Sequence, residues 1–235
     1  ILYIDGKIDD SLYRYIKELK EYKNIFIISS IINKGLGFGL NTIIDFALSK
    51  KCYKYLARMD GDDISLSHRI KKQVNFLDQN RDIDVCGTAV TEFGSSFAKR
   101  EVILPLCHDQ LVNYSIYRCP FIHPTVMFRM EIFESGARYP TNYVVKEDLA
   151  LWYKLILNGA KFGNLPEKLL SFRIDEFSLK RRHGFHHAYG EMSERIKFMN
   201  SIKKKSIKNY TLILLKFFLH LLPTSIMGLI YKYFR

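Results

Sequence analysis

The pattern of apolar and polar positions divides the first part of the chain into alternating strand-like and helix-like segments. Short apolar runs predict strands at Ile1–Ile4, Ile25–Ile32 and Tyr53–Met59. The unbroken β-branched run of the second is typical of a strand buried on both faces. After Asp9 and after Gly39, apolar residues recur three or four positions apart, which predicts two helices. Short connections predict right-handed crossovers, and hence an α/β fold with a mostly parallel central sheet and flanking helices.

The same kinds of element continue as far as residue 173. One helix is predicted to start at Ser65 and another to run from about Asp109 to Tyr117. A further helix, with a regular apolar face, follows Asp148. Additional strands are predicted at Ile83–Val90, Thr125–Phe128 and Leu169–Arg173.

Three unusual loops follow the first three predicted strands. They contain Asp5, the glycine-rich segment Asn33–Gly39, and the acidic segment Asp60–Asp63. Ligands of parallel sheets bind beyond the carboxyl ends of the strands, so these loops predict one shared pocket. A dinucleotide fingerprint is excluded because Leu40 stands where its last glycine is required.

The acidic segment places three carboxylates, those of Asp60, Asp62 and Asp63, within four positions. Carboxylates this close repel one another unless a positive group lies among them. A divalent cation that also binds substrate phosphates would supply that charge, because Mg²⁺ is usually held by one or two protein carboxylates. The alternative is a solvated acidic turn before a helix.

Charge is distributed unevenly over the 235 residues, which carry a net charge of +12. Residues 178–235 contain twelve Lys and Arg against two Glu, a net charge of +10. Residues 1–177 are nearly neutral, which argues against nucleic acid as a partner of this part of the chain. The four cysteines show no C-x-x-C spacing, which predicts reduced thiols in a cytoplasmic protein rather than a zinc site or a disulfide framework.

The basic part of the chain contains an apolar segment, Tyr210–Leu222, interrupted by Thr211, Lys216 and His220. A bilayer span needs about 20 apolar residues, so this segment is too short to cross one. Because the basic cluster Lys203–Lys205 precedes it, it is predicted to be an amphipathic helix lying on an anionic membrane surface. The alternative is a helix packed on the body of the protein or on a second subunit.

Taken in order, these motifs resemble those of the family 2 glycosyltransferases, which have a GT-A fold. Asn33–Asn41 is similar to the family loop N-x-G-x-x-x-A-x-N, with Gly39 where alanine is usual. Asp60-Gly61-Asp62 is similar to the D-x-D motif that binds metal and nucleotide diphosphate. Glu147-Asp148, followed by Trp152, is similar to an E-D-x-x-x-W element. The resemblance covers residues 1 to about 182 and is closest to bacterial enzymes of exopolysaccharide, capsule or lipopolysaccharide assembly.

Two departures from the family accompany this resemblance. The strand and helix that open the family's fold are not found, so we expect a GT-A catalytic domain at 1–177 that is truncated at its N-terminus. A basic helical tail that associates with the membrane is expected at 178–235. Asp5 would then belong to the family's second strand, and Asp175 stands where relatives often carry histidine.

The resemblance implies an inverting transfer of sugar from a nucleotide-diphosphate donor, expected to be a UDP-sugar, to a saccharide or lipid-linked saccharide. It implies Asp148 as the catalytic base and Mg²⁺ or Mn²⁺ held by Asp62, Asp60 and Asp63. Donor-binding residues would be Asp5, Asn33, Gly35, Asn41, Arg58, Asp60 and Arg173. His123, Glu147 and Trp152 would lie on the acceptor side. The protein would act in the cytoplasm, peripherally on the inner face of the cell membrane.

Other interpretations of these residues exist. His123 could be a structural histidine, and Glu147 could be only a helix cap. A phosphotransferase or phosphatase could use Asp60 as nucleophile, although such enzymes expect Gly-Thr or Gly-Val where this chain has Asp63-Ile64. A non-enzymatic membrane adaptor would account for the basic tail and leave the carboxylates unexplained.

Overall fold

The computed structural model describes residues 1–141, 146–175 and 184–223, together with Ile226 and Ile230. The strands are β1 (Leu2–Asp5), β2 (Ile27–Ser30), β3 (Tyr55–Ala57), β4 (Ile64–Ser65), β5 (Val85–Phe93), β6 (Met127–Arg129) and β7 (Phe162–Arg173). The helices are α1 (Asp10–Leu19), α2 (Leu36–Lys50), α3 (Arg69–Gln79), α4 (His108–Ser115), α5 (Glu131–Glu134), α6 (Glu147–Leu157), α7 (Phe185–Ser201) and α8 (Ile207–Leu221). A 3-10 turn at His123–Thr125 precedes β6.

The strands form two sheets. β1 and β2 pair in parallel, as predicted, and the other five strands form a mixed sheet in the order β3-β6-β5-β7-β4. Within this sheet, β5 and β7 are parallel and the other pairs are antiparallel. The α/β class is right, whereas the prediction of a mostly parallel sheet is wrong. The apolar pattern locates strands but does not give the direction of short ones such as β3, β4 and β6.

The main core lies between the five-stranded sheet and helix α6. Trp152 on α6 is completely buried and stacks on Phe128 of β6, with ring centroids 5.7 Å apart. Phe121 and Phe162 both pack edge-on to the same indole, and their two rings are tilted relative to each other. Such aromatic packing buries a large apolar area and fixes α6, including its N-terminal residues, against the sheet.

Helix α2 begins earlier than predicted, at Leu36, so Gly37 and Gly39 are helical residues rather than loop residues. A Cβ on Gly37 would lie 2.7 Å from the carbonyl oxygen of Pro140, and one on Gly39 would lie 2.6 Å from the Tyr3 ring. Both glycines therefore allow other parts of the chain to approach the helix closely.

Two other local predictions are wrong. β2 ends at Ser30, and Ile31 is 96% exposed, so the apolar run at 25–32 is not a strand buried on both faces. Among the described residues β2 pairs only with β1, which leaves it little to be buried against. Ile64–Ser65 form β4 beside β7, and α3 starts at Arg69 rather than at Ser65.

Helices α7 and α8, which follow β7 along the chain, pack against each other. One side of α8 is buried through Ile213 and His220, and its opposite side exposes Leu214, Leu215 and Phe218. Among the described residues, no helix is both long enough and apolar enough to cross a membrane. The predicted boundary at residue 177 lies outside the described residues.

Candidate active site

The three carboxylates after β3 form a compact cluster. Asp60, Asp62 and Asp63 each offer an oxygen atom, and these oxygens lie within 4.8 Å of one another. Asp63 is the buried member, 8% exposed, and its Oδ1 accepts a 2.8 Å hydrogen bond from the backbone N–H of Arg173. Its Oδ2 is also buried and has no hydrogen-bond partner among the described residues. A buried, unpaired carboxylate oxygen is costly, and a bound cation would satisfy it.

The electrostatics of this cluster also favour a cation. Burial, together with the negative charges of Asp60 and Asp62, raises the pKa of the Asp63 carboxyl to about 6, although the hydrogen bond from Arg173 opposes the rise. A divalent ion would relieve both the burial and the repulsion. Three carboxylates form a donor set that suits hard cations such as Mg²⁺ and Mn²⁺.

Arg58 brings positive charge to the same site. Its guanidinium is buried, pairs with Asp60, and leaves Nε and Nη1 without hydrogen-bond partners among the described residues. Arg69, itself buried, donates a 2.7 Å hydrogen bond to the Arg58 carbonyl. Gln73 accepts from Arg69 and donates to the Thr125 carbonyl at 2.8 Å. This network ties the acidic loop to the turn that carries His123.

Arg173 closes the acidic loop from the end of β7. In addition to its backbone bond to Asp63, its Nε donates to the carbonyl of Asp62 at 3.0 Å. Its guanidinium lies 4.5 Å from the centroid of the Phe93 ring. The pairing of β4 with β7, in which Ile64 lies opposite Ser171, therefore places the predicted donor-binding Arg173 beside the predicted metal-binding residues.

The predicted donor-binding residues near α2 are engaged with backbone groups. The two carboxylate oxygens of Asp5 accept hydrogen bonds of 2.7 and 2.8 Å from the N–H groups of Lys34 and Gly35. Gly35 has a φ of 86°, a conformation that favours glycine, and its N–H also faces Asn33 Oδ1 at 3.1 Å. These bonds fix the entry into α2, at the carboxyl ends of β1 and β2.

Asn41 joins α2 to the segment before α6. Its Nδ2 donates to the Tyr139 carbonyl at 2.8 Å, and its Oδ1 accepts from the Tyr139 N–H at 2.9 Å. The amide group is therefore occupied by backbone hydrogen bonds. A role in donor binding stays a prediction.

The N-terminus of α6 carries Glu147 and Asp148. Asp148 Oδ1 accepts from the Leu149 N–H at 2.7 Å, and the Cys119 thiol lies 3.6 Å from Oδ2 as a donor. Burial, and secondarily the charge of Asp148, raise the pKa of Cys119 to about 12, so the thiol stays protonated. Burial also raises the pKa of Glu147, with Asp148 and Asp60 adding to the rise. The electrostatic influence of Asp60 indicates that the acidic loop and the start of α6 share one site.

His123 faces this site from the turn before β6. Its Nε2 lies 2.9 Å from the Tyr139 hydroxyl. Burial, and secondarily the charge of Arg58, hold the pKa of His123 well below its usual range, so the imidazole is neutral. Trp152 packs perpendicular to the imidazole ring and is completely buried. The expectation that Trp152 lies on the acceptor side is therefore wrong: the indole belongs to the core, where the other apolar residues of α6 also pack.

Sequence reasoning missed two residues at this site. Tyr139 contacts His123 through its side chain and Asn41 through its backbone, and no motif marks it. In the sequence, Cys119 is one of four scattered thiols, although it precedes Pro120 in a rigid segment. Only the fold brings Cys119 next to Asp148, 29 positions further along the chain.

Comparison with known proteins decides the family. Residues 1–136 match the family model of glycosyl transferase family 2. The chain belongs to this family. A UDP-Gal:alpha-D-GlcNAc-diphosphoundecaprenol beta-1,3-galactosyltransferase of Escherichia coli is 32% identical to this glycosyltransferase over 235 residues, which cover 99% of this chain and 83% of the relative. The amylovoran biosynthesis glycosyltransferase AmsE of Erwinia amylovora is 27% identical over 234 residues, covering 99% and 85%.

Solved structures confirm the GT-A fold of this glycosyltransferase. S. aureus TarS 1–349 superposes with a TM-score of 0.59 at 17% identity, over 93% of this chain and 60% of that one. The mannosyltransferase PcManGT of Pyrobaculum calidifontis, in complex with GDP-Man and Mn²⁺, gives a TM-score of 0.60 at 16% identity, over 96% and 63%. The chain thus spans about three fifths of each solved relative.

The family assignment settles the class of the protein. It is a family 2 glycosyltransferase of bacterial polysaccharide biosynthesis. The two alternatives, a phosphotransferase with an aspartate nucleophile and a non-enzymatic adaptor, are wrong.

Proposed function

We propose that this glycosyltransferase moves a sugar from a UDP-sugar to a hydroxyl of a saccharide linked through a diphosphate to a lipid. The Escherichia coli relative is named for such a donor and acceptor, and TarS has been solved with UDP and with UDP-GlcNAc. The carrying observation lies in this chain's own residues. A cluster of three carboxylates includes the Oδ2 of Asp63, which is buried without a hydrogen-bond partner in the described part of the chain, and the charge of Asp60 in this cluster acts on Glu147 at the start of α6.

The acidic loop would hold the donor. Asp60, Asp62 and Asp63 would bind Mg²⁺ or Mn²⁺, which when bound stabilises the negative charge of the leaving diphosphate. Nε and Nη1 of Arg58 have no hydrogen-bond partner in the part of the chain that the structure describes, and they can donate to oxygens of the sugar donor. Arg173 adds a second guanidinium beside the same loop. Asp5, Asn33, Gly35 and Asn41 would complete the donor site by fixing the entry and the first turns of α2.

Asp148 would act as the general base. A sugar hydroxyl is a weak nucleophile, and removal of its proton by a positioned carboxylate typically accelerates a reaction by ~10²–10⁴-fold. In the proposed step, the acceptor oxygen bonds to the anomeric carbon as the bond from that carbon to the diphosphate oxygen breaks on the opposite face. The proton passes to Asp148. A single displacement of this kind inverts the anomeric centre.

Two further residues would contact the acceptor. Neutral His123 can donate or accept a hydrogen bond, since its Nε2 partner is a tyrosine hydroxyl. Glu147, with its raised pKa, can share a proton with an acceptor hydroxyl. Glu147 adjoins Asp148, and the charge of Arg58, next to the acidic loop, acts on both His123 and Glu147. This supports placing the acceptor between His123 and Glu147.

We further propose that the enzyme works peripherally on the inner face of the cell membrane. Exposed Leu214, Leu215 and Phe218 give α8 an apolar side, and Lys203–Lys205 precede that helix. An apolar helix face with nearby lysines suits an anionic lipid surface, where each basic residue contributes about 1 kcal/mol. Attachment there would bring the active site to lipid-linked acceptors.

Turnover on defined substrates tests the proposal. Purified protein is incubated with Mn²⁺, a panel of UDP-, GDP- and dTDP-sugars, and a short-chain lipid diphosphate that carries GlcNAc. We expect a disaccharide product from one UDP-sugar only, and NMR of the new linkage should show inversion. Transfer from another nucleotide sugar would contradict the donor, and retention of configuration would contradict the displacement.

A further inference from the structure

A buried ion cluster joins the C-terminal helix pair to the start of α6. Its centre is Glu191 on α7, which is 3% exposed. Oε1 contacts Arg195 at 2.6 Å and Lys216 at 3.0 Å, and Oε2 contacts Lys146 at 2.5 Å and His220 at 3.4 Å. Although burial opposes it, the charges of Lys216, Lys146 and Arg195 hold the pKa of Glu191 well below its usual range. Glu191 is therefore an anion shared by several elements.

The first arm of this cluster reaches Asp148 through Lys146. Lys146 is the N-cap of α6 and has a φ of 42°, in the left-handed region that non-glycine residues rarely occupy. Such a conformation persists only where the surroundings impose it. The ion pair with Glu191 is the side-chain contact that holds Lys146 here. Because Asp148 follows two residues later, the conformation at Lys146 sets the direction in which α6 presents that carboxylate.

The second arm reaches Asp148 through Cys119. Arg195 donates to the Ser115 carbonyl at 3.0 Å and contacts that of Arg118 at 3.5 Å, and Lys216 donates to the Tyr117 carbonyl at 3.2 Å. These carbonyls lie in the segment that leads from α4 into Cys119, whose thiol faces Asp148 Oδ2. The ion cluster around Glu191 thus fixes the backbone at Lys146 and near Cys119. These two residues determine the orientation of the Asp148 carboxylate.

We propose that Glu191 and Lys146 are positioning residues for Asp148, so that helices α7 and α8 form part of the catalytic apparatus. The proposal rests on the assignment of Asp148 as the base. It explains why a buried charge cluster lies between α6 and the α7–α8 helix pair. Misplacing a reacting group by about 1 Å can reduce a rate by ~10²-fold, so such an anchor has a measurable effect.

The test is a double-mutant cycle on kcat with Lys146→Met and Asp148→Asn. Lys146→Met removes the arm to α6 and leaves Glu191 with Arg195 and Lys216. We expect kcat to fall by about 10- to 100-fold with the KM for donor unchanged, and Lys146→Arg to retain most of the activity. Added to Asp148→Asn, the Lys146→Met change should lower kcat by no more than about twofold, because both act through one group. Lys197→Met, at an exposed lysine of α7, is the matched control.

Two results of the cycle would overturn the proposal. The first is a wild-type kcat in Lys146→Met. The second is a double variant in which the fold-losses in kcat of Lys146→Met and Asp148→Asn multiply fully. If Lys146→Met does not fold, Lys146→Gln enters the same cycle, since its amide can still reach Glu191 without a charge.

A readout that needs no turnover separates this proposal from the proposed function. The ¹³C carboxyl NMR signal of Asp148 is assigned by its absence in Asp148→Asn. We expect its chemical shift to change in Lys146→Met and to stay unchanged in Lys197→Met. An unchanged signal in Lys146→Met contradicts the positioning role even if the enzyme is active. A changed signal in a protein that transfers no sugar would support the anchor and contradict the assigned reaction.

Discussion

The side chain of Asp63 accepts a 2.8 Å hydrogen bond from the backbone N–H of Arg173, 110 positions further along the chain. This bond attaches the acidic loop after β3 to the end of β7. The Nε of Arg173 holds the neighbouring Asp62 carbonyl in the same way. The loop that carries the carboxylates is thus held by the sheet, and a ligand would find it already formed. Preorganised sites of this kind lose less free energy on binding.

The first prediction separates metal binding from folding at this loop. Asp62→Ala should abolish Mn²⁺-dependent UDP binding, because it removes an exposed ligand oxygen. Asp63→Asn should do the same while its amide oxygen still accepts from Arg173. Both should melt within about 2 °C of wild type, since neither leaves a cavity. Calorimetry with UDP and Mn²⁺ is the measurement, and Asp109→Asn, at an exposed acid of α4, is the control. Undiminished UDP affinity in Asp62→Ala would show that Asp62 does not bind the metal.

The second prediction concerns the pH dependence of stability at His123. The pKa of the folded-state imidazole lies well below 6.5, whereas the unfolded chain takes up a proton near pH 6.5. Protons therefore favour the unfolded state, and the free energy of unfolding should fall as the pH drops below about 6.5. His123→Gln can still bond to Tyr139 and should lose less stability between pH 7 and pH 5. Thermal melts across this range are compared with those of His186→Gln, at an exposed histidine of α7. Parallel curves for wild type and His123→Gln would show that His123 titrates normally.

The third prediction concerns the exposed side of α8. Leu215→Ser combined with Phe218→Ser should weaken binding to vesicles that contain anionic lipid, because it removes apolar area from a surface helix. The melting temperature should change little, since both side chains are more than half exposed. Tyr13→Ser, at a comparably exposed apolar residue of α1, is the control and should bind vesicles like wild type. Vesicle flotation at low and high salt is the measurement. Unchanged flotation of the double variant would contradict the proposed membrane face.

The sequence predicts those parts of the fold that depend on local patterns. Helical spacing located α1 and α6, and an alternating segment before three carboxylates located β3. The start of α2 could not be predicted, because Gly37, which suggests a loop, is a helical residue at which Pro140 approaches closely from about a hundred positions away. The direction of β4 and β6 also depends on pairing that no local pattern encodes.

The candidate site divides in the same way. Ordered motifs mark Asp62 and Asp148 as candidates, and the structure places Asp62 in the carboxylate cluster and Asp148 at the start of α6. The motif also predicted that Trp152 lies on the acceptor side. The position of Trp152 on the apolar face of α6 indicates the core instead, and the indole is buried there. Glu191 could not be found from the sequence. In the tail it is one of two acids among twelve basic residues, and only the packing of three helices shows that it is buried.

The most direct test of the account is the transfer rate of Asp148→Asn, measured beside wild type and Glu147→Gln. Asparagine keeps a side-chain oxygen that can accept from the Leu149 N–H, so the variant should melt near the wild-type temperature and bind UDP and Mn²⁺ normally. If Asp148 accepts the proton of the acceptor hydroxyl, its kcat should fall by at least ~100-fold, and Glu147→Gln should lose much less. Near-normal turnover of Asp148→Asn would contradict the account, and a large loss in Glu147→Gln alone would transfer the role of base to Glu147.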